Sequence, residues 1–491
     1  MESIGKNFAL IAFSQVITIV SGFAINLFLT NYLGIELYGQ YSLVITGILA
    51  IGLKLIASGF PETMSKFVSE EKYNLERLIS GIFFYQIIEA ILLTIILMAI
   101  SPLLASSLNE NKVLVLLLLA SPIIIGQGLV SYFVCLYNGL RKFKIQSLIV
   151  ILLAILKIIF VIIGGYYWKT EGAILGFLVS TLMVALIFVL VSKKYLGVKL
   201  YFKIPKEIFT YMFEITIFGL CMTLFSSLDI ISVRYLIEGE GYDIVGIYNA
   251  GATISRLSLF IILSLSGVMF PTISNLMSKN DKEKAKKQIG HMIKIASIFI
   301  LPIILLFSSL SKIIVEILYK PEYIDSFEVN RYLVFAYSIL GFFIVFSNII
   351  NAIGKVKITI IISIIAIFLD VILLYFLVTY IGIIGATIAT LISSSIGLIT
   401  MIIVTHKKIG ISIKLITLFK INSFGIILFG VLNYVLIYFF ALKFYIWIFV
   451  VIGELIIYFL LLGILKEYNV LVFMKSILTK MKEYFPNKTN K

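Results

Sequence analysis

The sequence predicts an all-α polytopic membrane protein of 14 transmembrane helices: two pseudo-symmetric six-helix lobes plus two extra helices at the C-terminal side. Three observations carry that expectation. The 491 residues are 61% hydrophobic and only 13% charged, with mean hydropathy +1.12, which is outside the range of soluble domains. A shift of 213 residues lays Asn138, Lys142 and Lys144 on Asn351, Lys355 and Lys357, Gly172-Ala173 on Gly385-Ala386, and Ser180 on Ser393. Basic residues fall in every second loop, as the positive-inside rule requires of an even number of spans.

Apolar runs of about 20 residues, each able to cross roughly 30 Å of hydrocarbon, place the elements in order. Spans 8–31 and 40–61 are separated by a loop without basic residues; the loop 62–77 that follows carries Lys66, Lys72 and Arg77. Spans 78–104 and 113–138 enclose only Lys112, and 139–145 is again basic. Spans 146–166 and 172–192 enclose only Lys169, and the linker 193–207 holds five lysines. The second half repeats this with 208–236, 244–275, 290–311, 332–352, 358–380 and 382–405, followed by 421–442 and 444–465. One loop is anomalous: 312–331 carries Lys312, Lys320 and Arg331 where few cations are expected, mixed with four acids.

The expected organisation is therefore an N-terminal lobe over 1–192, a linker at 193–207 and a C-terminal lobe over 208–405. An added helix pair over 406–466 and a basic tail over 467–491 complete it. Both termini are expected in the cytoplasm, in a multi-pass protein of the cell membrane. The net charge of +15 reflects these loops, so no nucleic-acid partner is implied. The first apolar run is too long for a cleavable signal peptide. Cys135, Cys221, His291 and His406 are the whole Cys and His content, too few for a zinc cluster. No cofactor is expected, and a phosphate-binding Gly-x-x-x-x-Gly-Lys loop does not occur.

Each half also opens alike: Asn31-Tyr32-Leu33…Gly39-Gln40-Tyr41 against Arg234-Tyr235-Leu236…Gly246-Ile247-Tyr248, each then running to a proline, Pro61 or Pro271. Those prolines are expected to end their helices. A duplicated bundle of membrane helices is the mark of a secondary transporter with its path between the halves.

The stretch Thr30–Leu43, the run Ser58-Gly59-Phe60-Pro61-Glu62, Asp229, Val245–Ala250 and Phe270–Ser274 together resemble the polysaccharide-export (Wzx-like) flippases of the MOP superfamily, whose fold is MATE-like. The resemblance covers essentially the whole chain. It implies two lobes around a cavity that opens alternately to either side, and turnover of a polyprenyl-(pyro)phosphate-linked oligosaccharide. It implies no enzymatic activity. An ion-coupled multidrug exporter of the same fold is the alternative. A polyprenyl-dependent membrane glycosyltransferase is a third, disfavoured by the scarcity of His and the short outer loops.

Charges inside the apolar runs are the candidate site residues, because each costs about 2.5–3.5 kcal/mol in hydrocarbon and so faces protein or water. Lys54, Arg256, Lys157 and Arg234 are candidate substrate-binding cations for a pyrophosphate headgroup. Asp229, Glu89 and Asp370 are candidates for coupling to H+ or Na+. Lys157 and Asp370 are 213 residues apart and so occupy equivalent places; they either pair across the lobes or each face a cavity. Structural pairing of Asp229 with Arg234 is the plainer reading of those two. Glu454 belongs to the added pair and is expected to face other helices or the membrane interface. A lipid cargo needs a lateral gap between the first and eighth spans, which bear Gly22, Gly251 and Gly267. The expected partners are the lipid-linked oligosaccharide, membrane lipids and a coupling ion, with the chain acting as a monomer.

Overall fold

The computed structural model describes residues 2–70, 73–108, 111–196, 205–237, 241–278, 281–410, 425–433 and 444–464. Expectations for the rest of the linker, the loop after 410, the greater part of the thirteenth span and the tail lie outside the described residues.

The described residues form helices and turns only, the one way an unclosed chain satisfies its backbone in hydrocarbon. The first span is Glu2–Leu33 and the second runs without interruption through Ile35–Ser42, Leu43–Leu49 and Ala50–Glu70. The third is Leu75–Ser107, and the fourth is Asn111–Ala120 with Ile123–Gly139, jointed at Ser121-Pro122. One helix, Phe143–Val191, supplies the fifth and sixth. The seventh to tenth are Lys206–Leu236, Asp243–Ser278, Lys282–Ser309 and Ser326–Ala352; a second double helix, Val356–Ile409, supplies the eleventh and twelfth. Ile426–Leu432 is the described core of the thirteenth, and Phe444–Ile464 is the fourteenth. Among the described residues, nine helices, or ten with one bent pair, are long and apolar enough to cross a membrane; the two double helices cross twice.

The duplication is exact in backbone detail. Phe143–Val191 breaks at Trp168 (φ −125°, ψ 23°) and Lys169 (φ 49°, ψ −128°). Val356–Ile409 breaks 213 residues on, at Ile381 (φ −128°, ψ 18°) and Gly382 (φ 61°, ψ −142°). The turns leading into both helices match too: Arg141 and Gly354 each take positive φ, 57° and 77°. Lys142 N–H donates to Tyr137 O as Lys355 N–H donates to Ile350 O. Beyond each break the helices lie backbone to backbone. A Cβ on Gly172 would strike Gly164 O, and one on Gly385 would strike Leu377 O, the equivalent pair.

Two sequence expectations are corrected. Pro61 and Pro271 lie inside their helices, which continue to Glu70 and Ser278. Packing of Phe60 and Phe67 on Phe209 and Tyr211 holds the second span helical past the carbonyl that the proline leaves unpaired. The anomalous loop is a folded element: Ser311–Leu318 turns 71° from the ninth span, and the following Tyr319 and Tyr323 are buried.

Candidate functional site

The ends of the molecule are named here by the hairpin turns at Gly34 and Gly241 (the hairpin end) and by the linker (the linker end). At the hairpin end the lobes meet through a pseudo-twofold backbone contact. A Cβ on Gly39 would fall on Tyr242 O; a Cβ on Gly246 would fall on Ile35 O. These are equivalent pairs, since each glycine opens the motif Gly-x-Tyr that the halves share. Only glycine permits so close an approach.

Beneath this clasp lies a polar network that joins both lobes. Asn249 Nδ2 donates to Tyr38 OH at 2.9 Å and to Ser42 Oγ at 2.8 Å. Tyr38 OH donates in turn to Asn26 Oδ1 at 3.1 Å. Arg256 Nη1 donates to Asn249 Oδ1 at 3.0 Å, and its guanidinium lies 5.8 Å from the Tyr337 ring centre. Arg256 is half-buried and, two helical turns along from Asn249, sits about 10 Å from it along the helix, away from the clasp. On the facing second span, Leu43–Leu49 is a π-helical turn, a feature that often marks functional sites. Thr46 within it points at Asn249 Oδ1.

Lys54 lies further toward the linker end and faces the other lobe. A Cβ on Gly219 of the seventh span would come within 2.7 Å of Lys54 Cε and 2.6 Å of Ser58 Oγ. Lys54 Nζ is 3.6 Å from Glu62 Oε1, with the two side chains 34% and 44% exposed; such a loose, wet pair is worth about 0–1 kcal/mol. Neither Lys54 nor Arg256 turns toward lipid. The seam is nevertheless less cationic than the sequence suggests, because Glu62 attends Lys54 and Asp229 lies within electrostatic reach of Arg256.

Asp229 and Asp370 come together in the C-terminal lobe, both fully buried. Asp229 accepts from Tyr248 OH at 3.0 Å and from Thr390 Oγ1 at 2.8 Å. Asp370 Oδ1 accepts from Ser393 Oγ at 2.6 Å, while its Oδ2 has no partner. Thr390 and Ser393 are one turn apart on the twelfth span, so a single helix face holds both carboxylates. Two buried acids on three hydroxyls, with one oxygen vacant, can take up a proton or a small cation.

The other candidates separate. Lys157 does not pair with Asp370; its ammonium sits 3.4 Å from the Phe177 ring centre within the N-terminal lobe. Arg234 does not pair with Asp229: its Nη2 donates to Leu108 O at 3.1 Å, where the third span ends, and its guanidinium stacks 4.6 Å from Tyr242. That is a helix cap at the hairpin end. Glu89 faces the seam, with Oε1 3.6 Å from a Cβ built on Gly59, where Thr216 of the seventh span also packs; its Oε2 is buried without a partner. Gly22 has open space beside it, whereas Gly251 packs on Ser326 and Val329 of the tenth span; the surroundings of Gly267 lie outside the described residues. Asn26, Tyr38, Ser42, Thr46 and Glu62 are not among the site residues expected from sequence, although Tyr38, Ser42 and Glu62 fall in the motifs that carry the resemblance. For the first four the one signal is an uncharged polar residue recurring at helical spacing on either side of the Gly34 turn, which is common in membrane helices.

The family profile described as polysaccharide biosynthesis protein matches residues 4–277, and that of MatE matches 215–376. An uncharacterized membrane protein of Methanocaldococcus jannaschii is 25% identical over 353 residues, 66% of this chain and 68% of its own length. The fold is similar to that of the lipid II flippase MurJ in an inward closed conformation, with TM-score 0.74 and 17% identity over 93% of this chain and 98% of that one. It is also similar to an inward-facing multidrug resistance MATE transporter of the MOP superfamily (TM-score 0.66, 15% identity, 79% and 95% covered). A MOP-superfamily transporter from Pyrococcus furiosus, described by the reverse polarity of its binding pocket, aligns at TM-score 0.65 and 17% identity over 82% and 96%. These likenesses show that the chain has the fold these three proteins share.

Proposed function

The chain belongs to the polysaccharide biosynthesis protein family, and we propose from that premise that it flips a polyprenyl-(pyro)phosphate-linked oligosaccharide between leaflets by alternating access. The lobes are residues 1–192 and 208–405, and the linker end, with both termini, faces the cytoplasm. Cargo is loaded there and leaves at the hairpin end. The chain works as a monomer in the cell membrane.

The observation that carries this reading is Arg256. Its planar fork suits a phosphate, which accepts two parallel hydrogen bonds. It already holds Asn249, the residue that reaches across to Tyr38 and Ser42 of the other lobe. An anion arriving at Arg256 competes for the guanidinium and so loosens the network under the clasp. Lys54 is the earlier cation on the path, and its weak pair with Glu62 is readily exchanged for a phosphate. Asp229 and Asp370 take the coupling proton or cation, with Glu89 as a further acid on the seam. Lys157 and Arg234 serve packing and capping.

The test is deletion of the gene followed by lipid analysis, with complementation by Arg256→Ala and Lys54→Ala. A glycolipid should accumulate facing the cytoplasm, and neither variant should clear it while both reach the membrane at normal levels. Full clearance by both variants sinks the assignment. The second reading, a multidrug exporter, draws on Glu62 and Glu89 beside the seam, since acids suit cationic drugs. Efflux of a cationic dye that is indifferent to Arg256→Ala and lost in Glu89→Gln is its signature.

A further inference from the structure

The added helix pair holds a buried acid that the cycle above does not use. Glu454, on the fourteenth span, is 2% exposed, and Asn433, on the thirteenth, is fully buried. Asn433 Nδ2 donates to Glu454 Oε2 at 3.1 Å and reaches Ser309 Oγ, at the end of the ninth span, at 3.3 Å. Among the described residues, Glu454 Oε1 and Asn433 Oδ1 are both buried and both without a donor. Each partner of an existing acid–amide contact is thus left with one orphaned acceptor. The pair lacks a single hydrogen. An ionised carboxylate is acceptor-only and cannot supply it, whereas a protonated carboxyl donates and accepts at once. Among the described residues Glu454 has no basic partner within ion-pair distance, and an ionised carboxylate on one hydrogen bond in this apolar setting is costly.

We infer that Glu454 carries a proton on Oε1 and forms with Asn433 a two-point acid–amide pair that docks the added helices on the ninth span. The surroundings suit a joint. Tyr458 OH donates to Ile298 O at 3.3 Å, and Phe429 meets Tyr458 edge-on at 5.3 Å between ring centres. Phe299 packs on Phe459 at 5.7 Å. Docked in this way, the added pair moves with the ninth span as one body when the lobes part.

The chain has 2 tryptophans: Trp168, 65% exposed, and Trp447, 4% exposed on the fourteenth span. Trp168→Phe therefore leaves one indole that reports on the joint. The Tm followed by Trp447 emission is measured in lipid nanodiscs for Glu454→Gln, Glu454→Ala and Asn433→Leu, in sodium and in choline chloride. Glu454→Gln places an N–H where the acid O–H stood and should match the parent. Glu454→Ala and Asn433→Leu should lose several degrees, or fail to insert while Glu454→Gln inserts normally. Three results overturn the proposal. Glu454→Gln falls as far as Glu454→Ala, so the negative charge is needed. Sodium stabilises the parent and not Glu454→Gln, so a metal cation fills the gap. Glu454→Ala is harmless, so the contact docks nothing.

Discussion

The fifth and sixth spans and the eleventh and twelfth are one structure built twice, with opposite chemistry at its centre. In the N-terminal copy Lys157 rests on Phe177, an aromatic ring, at 3.4 Å. In the C-terminal copy the same two places hold Asp370 and Thr390, and the carboxylate turns to Ser393 while Thr390 reaches out to Asp229. The breaks, the entry turns and the glycine approaches are shared. A backbone can therefore be copied intact while its interior is rewritten. One lobe rests a half-buried cation on a ring face, worth about 0.5–2 kcal/mol; the other keeps two acids on hydroxyls with one oxygen unfilled. The second arrangement leaves a buried acceptor open to a proton or cation, whereas the first offers a cation resting on a ring.

The strongest attempt to break this contrast removes the acids. Asp229→Ala or Asp370→Ala should cut transport by about 10- to 100-fold, the range for losing a buried hydrogen bond to a charged group, with flipping measured on a fluorescent lipid-linked sugar. Transport that persists would mean that the C-terminal copy is as inert as the N-terminal one. The glycine clasp probes the opposite point, equality between lobes. Gly39→Leu and Gly246→Leu each place a side chain on a carbonyl, so each should hold the hairpin end open and reduce flipping at least tenfold. Cysteine labelling at position 38 or 245 should report the same exposure for both.

A smaller difference is expected at the two helix breaks. Lys169 adopts a conformation that glycine takes freely, and Gly382 fills the equivalent place. Lys169→Gly should stabilise by about 1 kcal/mol and Gly382→Ala should destabilise by about 1–3 kcal/mol, read from thermal unfolding in detergent. The smallest effect belongs to Lys157→Met, which should cost about 1 kcal/mol or less of stability and leave flipping near normal. A large loss of flipping there would return Lys157 to the substrate path.

The legibility of these features follows from their chemistry. Rare residues at a fixed offset (Asn138 with Asn351, Gly172 with Gly385) expose the repeat against an apolar background. The break is legible in both copies: Lys169 is the one charge between the runs 146–166 and 172–192, and the runs 358–380 and 382–405 part at Ile381. The positive φ that Lys169 adopts is not legible, because its side chain gives no cue to it. Asp229 and Asp370 stand out as charges in apolar runs. Their partners do not: Thr390 lies 161 residues from Asp229, and threonine is unremarkable in a membrane helix. Lys157 and Asp370 were placeable as equivalents, but equivalence under a repeat says nothing about contact. The prolines misled because helix propensity is local, whereas Phe60 and Phe67 are held by the other lobe.

The contact of Gly39 with Tyr242 and of Gly246 with Ile35 is made by main chain alone. A door that shuts on peptide groups has the same fit whatever residues decorate the corridor behind it. Relatives that share this latch are free to change the amino acids lining the passage, and hence the cargo, without rebuilding the means of closing it.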